Sequence, residues 1–127
     1  MHIVDSCGWL EWFSNGRQAD AYAPYLCEEG QILVPAVVLF EVYKILKRKI
    51  GEDKAVLAVS LMKRSTIIPF EEVLSLKAAD TALQNNLAMA DAMVYATALL
   101  YKVQLYTSDA DFQGLPLVQM IRDEDGL

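Results

Sequence analysis

The chain is poor in the residues that build disulfide scaffolds and soft-metal sites: two cysteines and one histidine in 127 residues. Two thiols, Cys7 and Cys27, are too few for a disulfide framework. Neither sits in a metal-type repeat, so both are expected as core thiols. The lone histidine, His2, lies in an apolar run and is expected to be structural. No apolar run in the sequence reaches the ~20 residues of a membrane helix. The first residues do not form the basic region and cleavage pattern of a signal peptide, because Asp5 and Glu11 interrupt them. The expectation is therefore a cytoplasmic protein with no membrane association. With no internal repeat, linker or low-complexity segment, one domain over residues 1–127 is expected.

Positive charge is also scarce. Eleven Lys and Arg against 17 Asp and Glu give a net charge of −6, which taken alone argues against a nucleic-acid partner. The distribution argues otherwise. Between Lys44 and Arg64 seven basic residues face two acids, a local +5 that leaves −11 for the rest of the chain. Lys44, Lys47, Arg48 and Lys49 are the candidate nucleic-acid contacts, and an ordinary solvated helix face is the competing explanation. Asp123-Glu124-Asp125 reads as a short acidic tail with no catalytic part.

What the chain has in quantity is apolar residues, at 54%, which implies extensive burial or a greasy oligomer interface. Their pattern alternates between strand-like and helical. Residues 2–4 read as a core strand, after which Ser6 would cap a helix using Trp9, Leu10, Trp12 and Phe13 and ending at Asn15-Gly16. A second helix is expected from about Asp20 to Glu29, with Pro24 near its start. The run Ile32-Leu33-Val34 is the next strand, and Pro35 starts a helix to Ile50 that carries Val37, Val38, Glu41 and Ile45 on one side. Gly51 separates it from a helix over Glu52–Ser65. A strand at Thr66–Phe70, a helix from Glu71-Glu72 to Leu83, a polar break at Gln84-Asn85-Asn86, an almost wholly apolar helix at 89–101, and strands at 103–106 and 116–121 complete the series. Strands alternating with helices predict a mainly parallel sheet covered on both faces, a three-layer α/β/α fold.

Against this background four acids are out of place. Asp5 follows the first strand, and Asp109 follows Leu105-Tyr106-Thr107-Ser108, where an open α/β sheet puts its ligands. Glu41 and Asp91 interrupt apolar helices. A buried carboxylate is protonated, paired or metal-bound. Lys44 is a possible ion-pair partner for Glu41, and a helix cap is the plain alternative for Asp91. Oxygen ligands without His or Cys select a hard cation, Mg²⁺ or Mn²⁺, and such an assembly suits phosphodiester hydrolysis.

The segments Val4-Asp5-Ser6, Phe40-Glu41-Val42, Ala90–Ala98 around Asp91, and Leu105–Phe112 together resemble the four acidic motifs of PIN-domain ribonucleases, in order and over essentially the whole chain. More narrowly, the sequence is similar to the VapC-type toxins of toxin–antitoxin pairs. The resemblance implies a PIN-like fold and a Mg²⁺- or Mn²⁺-dependent endoribonuclease acting on tRNA or another structured RNA. Asp5, Glu41, Asp91 and Asp109 would be its catalytic, metal-binding carboxylates, with Asp111 as an auxiliary metal ligand and Thr107 as a supporting hydroxyl. A homodimer and a cognate VapB-type antitoxin are implied as well. Two positions depart from the pattern. Cys7 stands where many members have Ser or Asn, with Ser6 beside it as the candidate polar group, and Tyr101-Lys102-Val103 replaces a frequent glycine. A phospho-acceptor receiver domain is the rival by size, but Asp5 lacks an acidic neighbour and no lysine follows Thr107-Ser108-Asp109. A catalytically silent PIN-like RNA- or protein-binding module would be favoured by a missing carboxylate, and none is missing.

Overall fold

The computed structural model describes residues 1–122, so the acidic tail at 123–125 lies outside the described residues. Five strands form one sheet: β1 (His2–Val4), β2 (Ile32–Pro35), β3 (Thr66–Ile68), β4 (Gln104–Thr107) and β5 (Val118–Met120). Their spatial order is β3-β2-β1-β4-β5 and every pairing is parallel. Successive residues of a strand face opposite sides, yet Ile3 and Val4, and all of Ile32–Pro35, are buried. Both faces of the sheet are therefore covered, as a parallel sheet requires.

The covering helices are α1 (Ser6–Ser14), α2 (Ala19–Leu26), α3 (Ala36–Ile50), α4 (Glu52–Met62), α5 (Glu72–Asn85) and α6 (Met89–Tyr101). None is long and apolar enough to cross a membrane. The N-cap of α1 is Asp5 rather than Ser6: its Oδ1 accepts the Ser6 N–H at 2.8 Å, and Ser6 is the first helical residue. An aspartate leaving a strand in extended conformation places its oxygen over the first free helix amides, so it pre-empts the serine. Helix α2 stops at Leu26, and Pro24 falls in its last turn rather than near its start. A short 3-10 turn, Glu29–Gln31, follows. In the last turn a missing N–H and a bulky ring help to end the helix. Helix α4 is shorter than expected, while α5 runs on through Gln84 and Asn85 until Asn86 adopts a left-handed φ of 53°. On α3 the fully buried stripe is Val38, Val42 and Leu46, one turn apart, so Glu41 sits on its flank rather than at its centre. Helix α6 is buried along Val94–Ala98 but leaves Met89, Leu100 and Tyr101 exposed at its ends.

Lys102 ends α6 in left-handed conformation, φ 57°, at the place where a glycine would fit without strain. Gly8 has the opposite significance. A Cβ there would come within 2.5 Å of both Val4 and the Tyr22 ring, so only glycine lets α1 lie this close to β1 and α2. His2 is structural, as expected: its Nε2 lies 2.7 Å from the Tyr25 carbonyl oxygen, and its ring meets Tyr25 and Tyr106 edge-on. The cysteines are not both core thiols. Cys27 is exposed, and Cys7 is half-buried in a polar setting.

Candidate active site

In the order β3-β2-β1-β4-β5 the chain winds outward from β1 in both directions, which opens a crevice between β1 and β4 at the carboxyl ends of the strands. Val4 pairs with Tyr106, so Asp5 and Thr107 leave the sheet side by side. Thr107 is the hinge of the site. Its Oγ1 donates to Asp5 Oδ2 at 2.9 Å and accepts the Asp109 N–H at 3.0 Å, which ties the two strand ends together. Asp109 Oδ1 in turn accepts the Asp111 N–H at 2.9 Å and caps the 3-10 turn Ala110–Phe112. Phe112, fully buried, anchors that turn to the core.

Asp91 is the third residue of α6, whose N-cap is Ala88, so Asp91 caps nothing and its carboxylate is free to face the crevice. One oxygen each from Asp91, Asp109 and Asp111 lies within 4.8 Å of the others. Asp5 and Glu41 stand outside this compact trio but within its field. Burial first, and then the Glu41 and Asp109 charges, push Asp5 up to about 6 from the ordinary 3.8, against the opposing hydrogen bonds from Ser6 and Thr107. Burial, followed by the charges of Asp109, Asp5 and Asp111, likewise holds Asp91 at about 6. Glu41 is also raised, by burial and by Asp91 and Asp109, while the Ser6 hydroxyl and Lys44 pull it back. The five acids thus form one electrostatic unit, and every shift has the sign of uncompensated negative charge.

A second polar network lies behind it. Cys7 Sγ is 3.9 Å from Asp5 Oδ2, 3.6 Å from Thr107 Oγ1 and 3.4 Å from the Tyr22 hydroxyl. Burial raises the Cys7 thiol, which keeps it protonated and makes it a packing group and weak donor rather than a nucleophile. The buried Tyr22 hydroxyl also bonds Ser108 Oγ, and Ser108 Oγ donates to Gln18 Oε1 at 2.8 Å. Gln18, Tyr22 and Ser108 carried no signal in the sequence. The partner of the Tyr22 hydroxyl is 86 positions away.

Of the basic residues, Lys44, Lys47, Arg48 and Lys49 are all exposed on the second half of α3. Lys44, one turn from Glu41, lies over the Phe40 ring at 5.6 Å. Lys47 pairs with Glu52 at 3.1 Å and lies over Tyr43. Lys47, Arg48 and Lys49 occupy the last turn, where cations suit the helix dipole in any case.

The same architecture recurs in solved structures. A toxin–antitoxin complex from Klebsiella pneumoniae matches with a TM-score of 0.82 and 22% identity over 97% of this chain and 99% of that one. VapC20 of Mycobacterium tuberculosis, described as a Sarcin-Ricin loop cleaving toxin, matches at 0.79 and 18% over 96% and 100%. VapBC2 of Rickettsia felis, bound to a DNA fragment from its promoter, matches at 0.71 and 13% over 94% and 96%. A comparison with curated proteins yields no match. The sequence model of the PIN domain matches residues 2–116, from the first residue of β1 to just short of β5. With that span, this sheet order and acids gathered at its switch point, the chain belongs to the PIN domain family.

Proposed function

We propose that this protein is a Mg²⁺- or Mn²⁺-dependent endoribonuclease that acts as the toxin of a toxin–antitoxin pair. The observation that carries the reading is the carboxylate cluster: Asp91, Asp109 and Asp111 within 4.8 Å, with Asp5 and Glu41 electrostatically coupled to them. Five carboxylates share a half-buried crevice, and Asp5, Asp91 and Glu41 are raised first by burial and then by their acidic neighbours. A donor set of carboxylate oxygens alone, with Cys7 kept protonated, fits a hard divalent cation. Asp91, Asp109 and Asp111 would hold it, with Asp5 and Glu41 completing the negative cradle. When bound, such an ion lowers the pKa of a water and neutralises charge on a phosphodiester.

The chain's own groups do the positioning. Thr107 fixes the Asp5 carboxylate and the Asp109 backbone together, and Ser6 supports both Asp5 and Glu41. Lys44, Lys47, Arg48 and Lys49 would grip RNA phosphates beside the crevice, with Lys44 nearest through Glu41. Cutting would be directed to an accessible, unpaired stretch of a structured RNA such as tRNA. For the antitoxin, the support is the toxin–antitoxin identity of the structural neighbours together with an apolar groove of about 530 Å³ between α3 and α4, where Phe40 is 61% exposed. A homodimer accords with the exposed Val73, Leu76 and Leu83 of α5. The deciding experiment is RNA-cleavage mapping of wild type beside Asp91→Asn, with Mg²⁺ or Mn²⁺ and with chelator. Metal-dependent cutting that Asp91→Asn lacks is expected; equal cutting by both proteins would end the assignment.

A further inference from the structure

A groove of about 420 Å³ opens beside the carboxylate cluster and shares Asp109 with it. Its remaining walls are Cys7, Leu10, Glu11, Ser14, Gln18 and Ser108, so a few polar groups converge beside Leu10 and Cys7, as in sites that orient small planar ligands. Gln18 is the residue just before α2, where a short polar side chain would normally cap the helix, yet it makes no such cap. Its amide is instead committed to the groove. Ser108 has one hydroxyl proton and gives it to Gln18 Oε1, so the Tyr22 hydroxyl must be the donor to Ser108. Tyr22 is fully buried, and with the Gln18 carbonyl on Ser108 the Nε2 hydrogens are the donors that the amide has left to offer. Opposite in character is Glu11, a pure acceptor. Its Oε2 lies over Gly16, 1.5 Å from where a Cβ would stand, so its seat exists only because residue 16 has no side chain.

We propose that this groove holds the nucleobase next to the cut phosphate, and that Gln18 and Glu11 select a keto base, guanine or uracil. A keto base presents a carbonyl oxygen beside a ring N–H: the Gln18 amide donates to the first and the Glu11 carboxylate accepts from the second. Adenine and cytosine present the reverse, an amino donor beside a bare ring nitrogen, which sets donor against Gln18 and lone pair against carboxylate. Mismatched pairs of this kind cost on the order of tenfold in affinity or more. The placement beside a phosphate rests on the nuclease reading, whereas the base preference does not.

The test has a binding arm and a cleavage arm. The isotope-labelled full chain, in chelator, is titrated by NMR with GMP, UMP, AMP and CMP. GMP and UMP are expected to shift the Gln18 side-chain amide and to bind about tenfold tighter than AMP and CMP. Gln18→Ala should shrink the difference, and Gln18→Glu, which sets an acceptor against the keto oxygen while Glu11 still opposes the bare ring nitrogen of AMP and CMP, should abolish the preference, with melting curves confirming that both variants fold. In the cleavage arm, oligoribonucleotides differing only in the base beside the cut are compared under Mn²⁺. Equal binding of all four nucleotides, or a selectivity that Gln18→Ala leaves intact, overturns the assignment. Selective GMP and UMP binding with no cutting of any RNA would keep the groove assignment and remove the nuclease reading. Metal-dependent cutting indifferent to the flanking base would do the reverse. Unequal GMP and UMP affinities would tell which keto base the groove takes.

Discussion

In the metal-free protein, acidification from pH 8 to pH 5 should stabilise the fold. Asp5 is raised from 3.8 to about 6 in the native state, so between those values the folded chain holds a proton that the unfolded chain has released. Stability therefore falls as pH rises through that window and levels off above it. The whole shift, on a side chain only 5% exposed, corresponds to about 3 kcal/mol at ~1.4 kcal/mol per unit, of which about 1.4 kcal/mol is gained between pH 6 and pH 5. For a chain of this length that part is about 5 °C in Tm. Asp91 and Glu41 act in the same direction, although their greater exposure screens them more. Adding Mg²⁺ or Mn²⁺ at pH 8 should restore what ionisation removes, by about 2.7 kcal/mol at a hundredfold excess over Kd. Asp91→Asn should melt higher than wild type in chelator at pH 8 and respond less to metal, because it removes one of the mutually repelling charges. Differential scanning calorimetry across pH 5–8, with and without metal, reads all of this. A Tm that rises with pH in chelator, or an Asp91→Asn variant that melts lower, would refute the electrostatic account.

Thr107→Val keeps shape but leaves Asp5 Oδ2 without its hydroxyl donor; a loss of about 2 kcal/mol by urea denaturation and a large fall in RNA cleavage are expected, with Thr107→Ser retaining most of both. Gly8→Ala should destabilise by about 1–3 kcal/mol, since Val4 and the Tyr22 ring are too well packed to yield, and the effect should reach Ser108 in NMR spectra. Lys102→Gly relieves a left-handed residue at the end of α6 and should raise stability by about 1 kcal/mol, readable as a higher urea midpoint. Charge reversal at Lys47, Arg48 and Lys49 should weaken RNA binding and flatten its salt dependence; affinities unchanged across salt would return these side chains to the role of a solvated helix end.

The alternation of strands and helices was legible because a parallel sheet buries its strands on both faces, which leaves short uninterrupted apolar runs such as Ile32-Leu33-Val34. The acids were legible for the converse reason, since Asp5, Glu41, Asp91 and Asp109 interrupt segments that are otherwise apolar. Ends of elements were less so. The choice between Asp5 and Ser6 as cap depends on which oxygen reaches a helix amide, and adjacent polar residues do not encode that. Pro24 looked compatible with a helix start and proved part of a helix end, because Ala19 rather than Asp20 opens α2 and Leu26 already closes it. The division of the acids into a compact trio and two flanking members depends on where Asp111 turns after Asp109, a matter of one backbone hydrogen bond. Gln18, Tyr22 and Ser108 were beyond reach. Their significance lies wholly in contacts across more than eighty residues.

The second residue of the chain already belongs to β1, yet β1 is the middle strand, flanked by β2 on one side and β4 on the other. During synthesis the segment that must become the centre of the sheet waits for a neighbour that begins at Gln104. Contacts of such long range close late and slowly. A nascent chain, or one truncated before β4, would carry Asp5 on an unzipped seam with neither Thr107 nor Asp109 to meet it. The crevice therefore comes into being only once β4 and the turn after it have been made, so whatever the finished site does must wait for that segment.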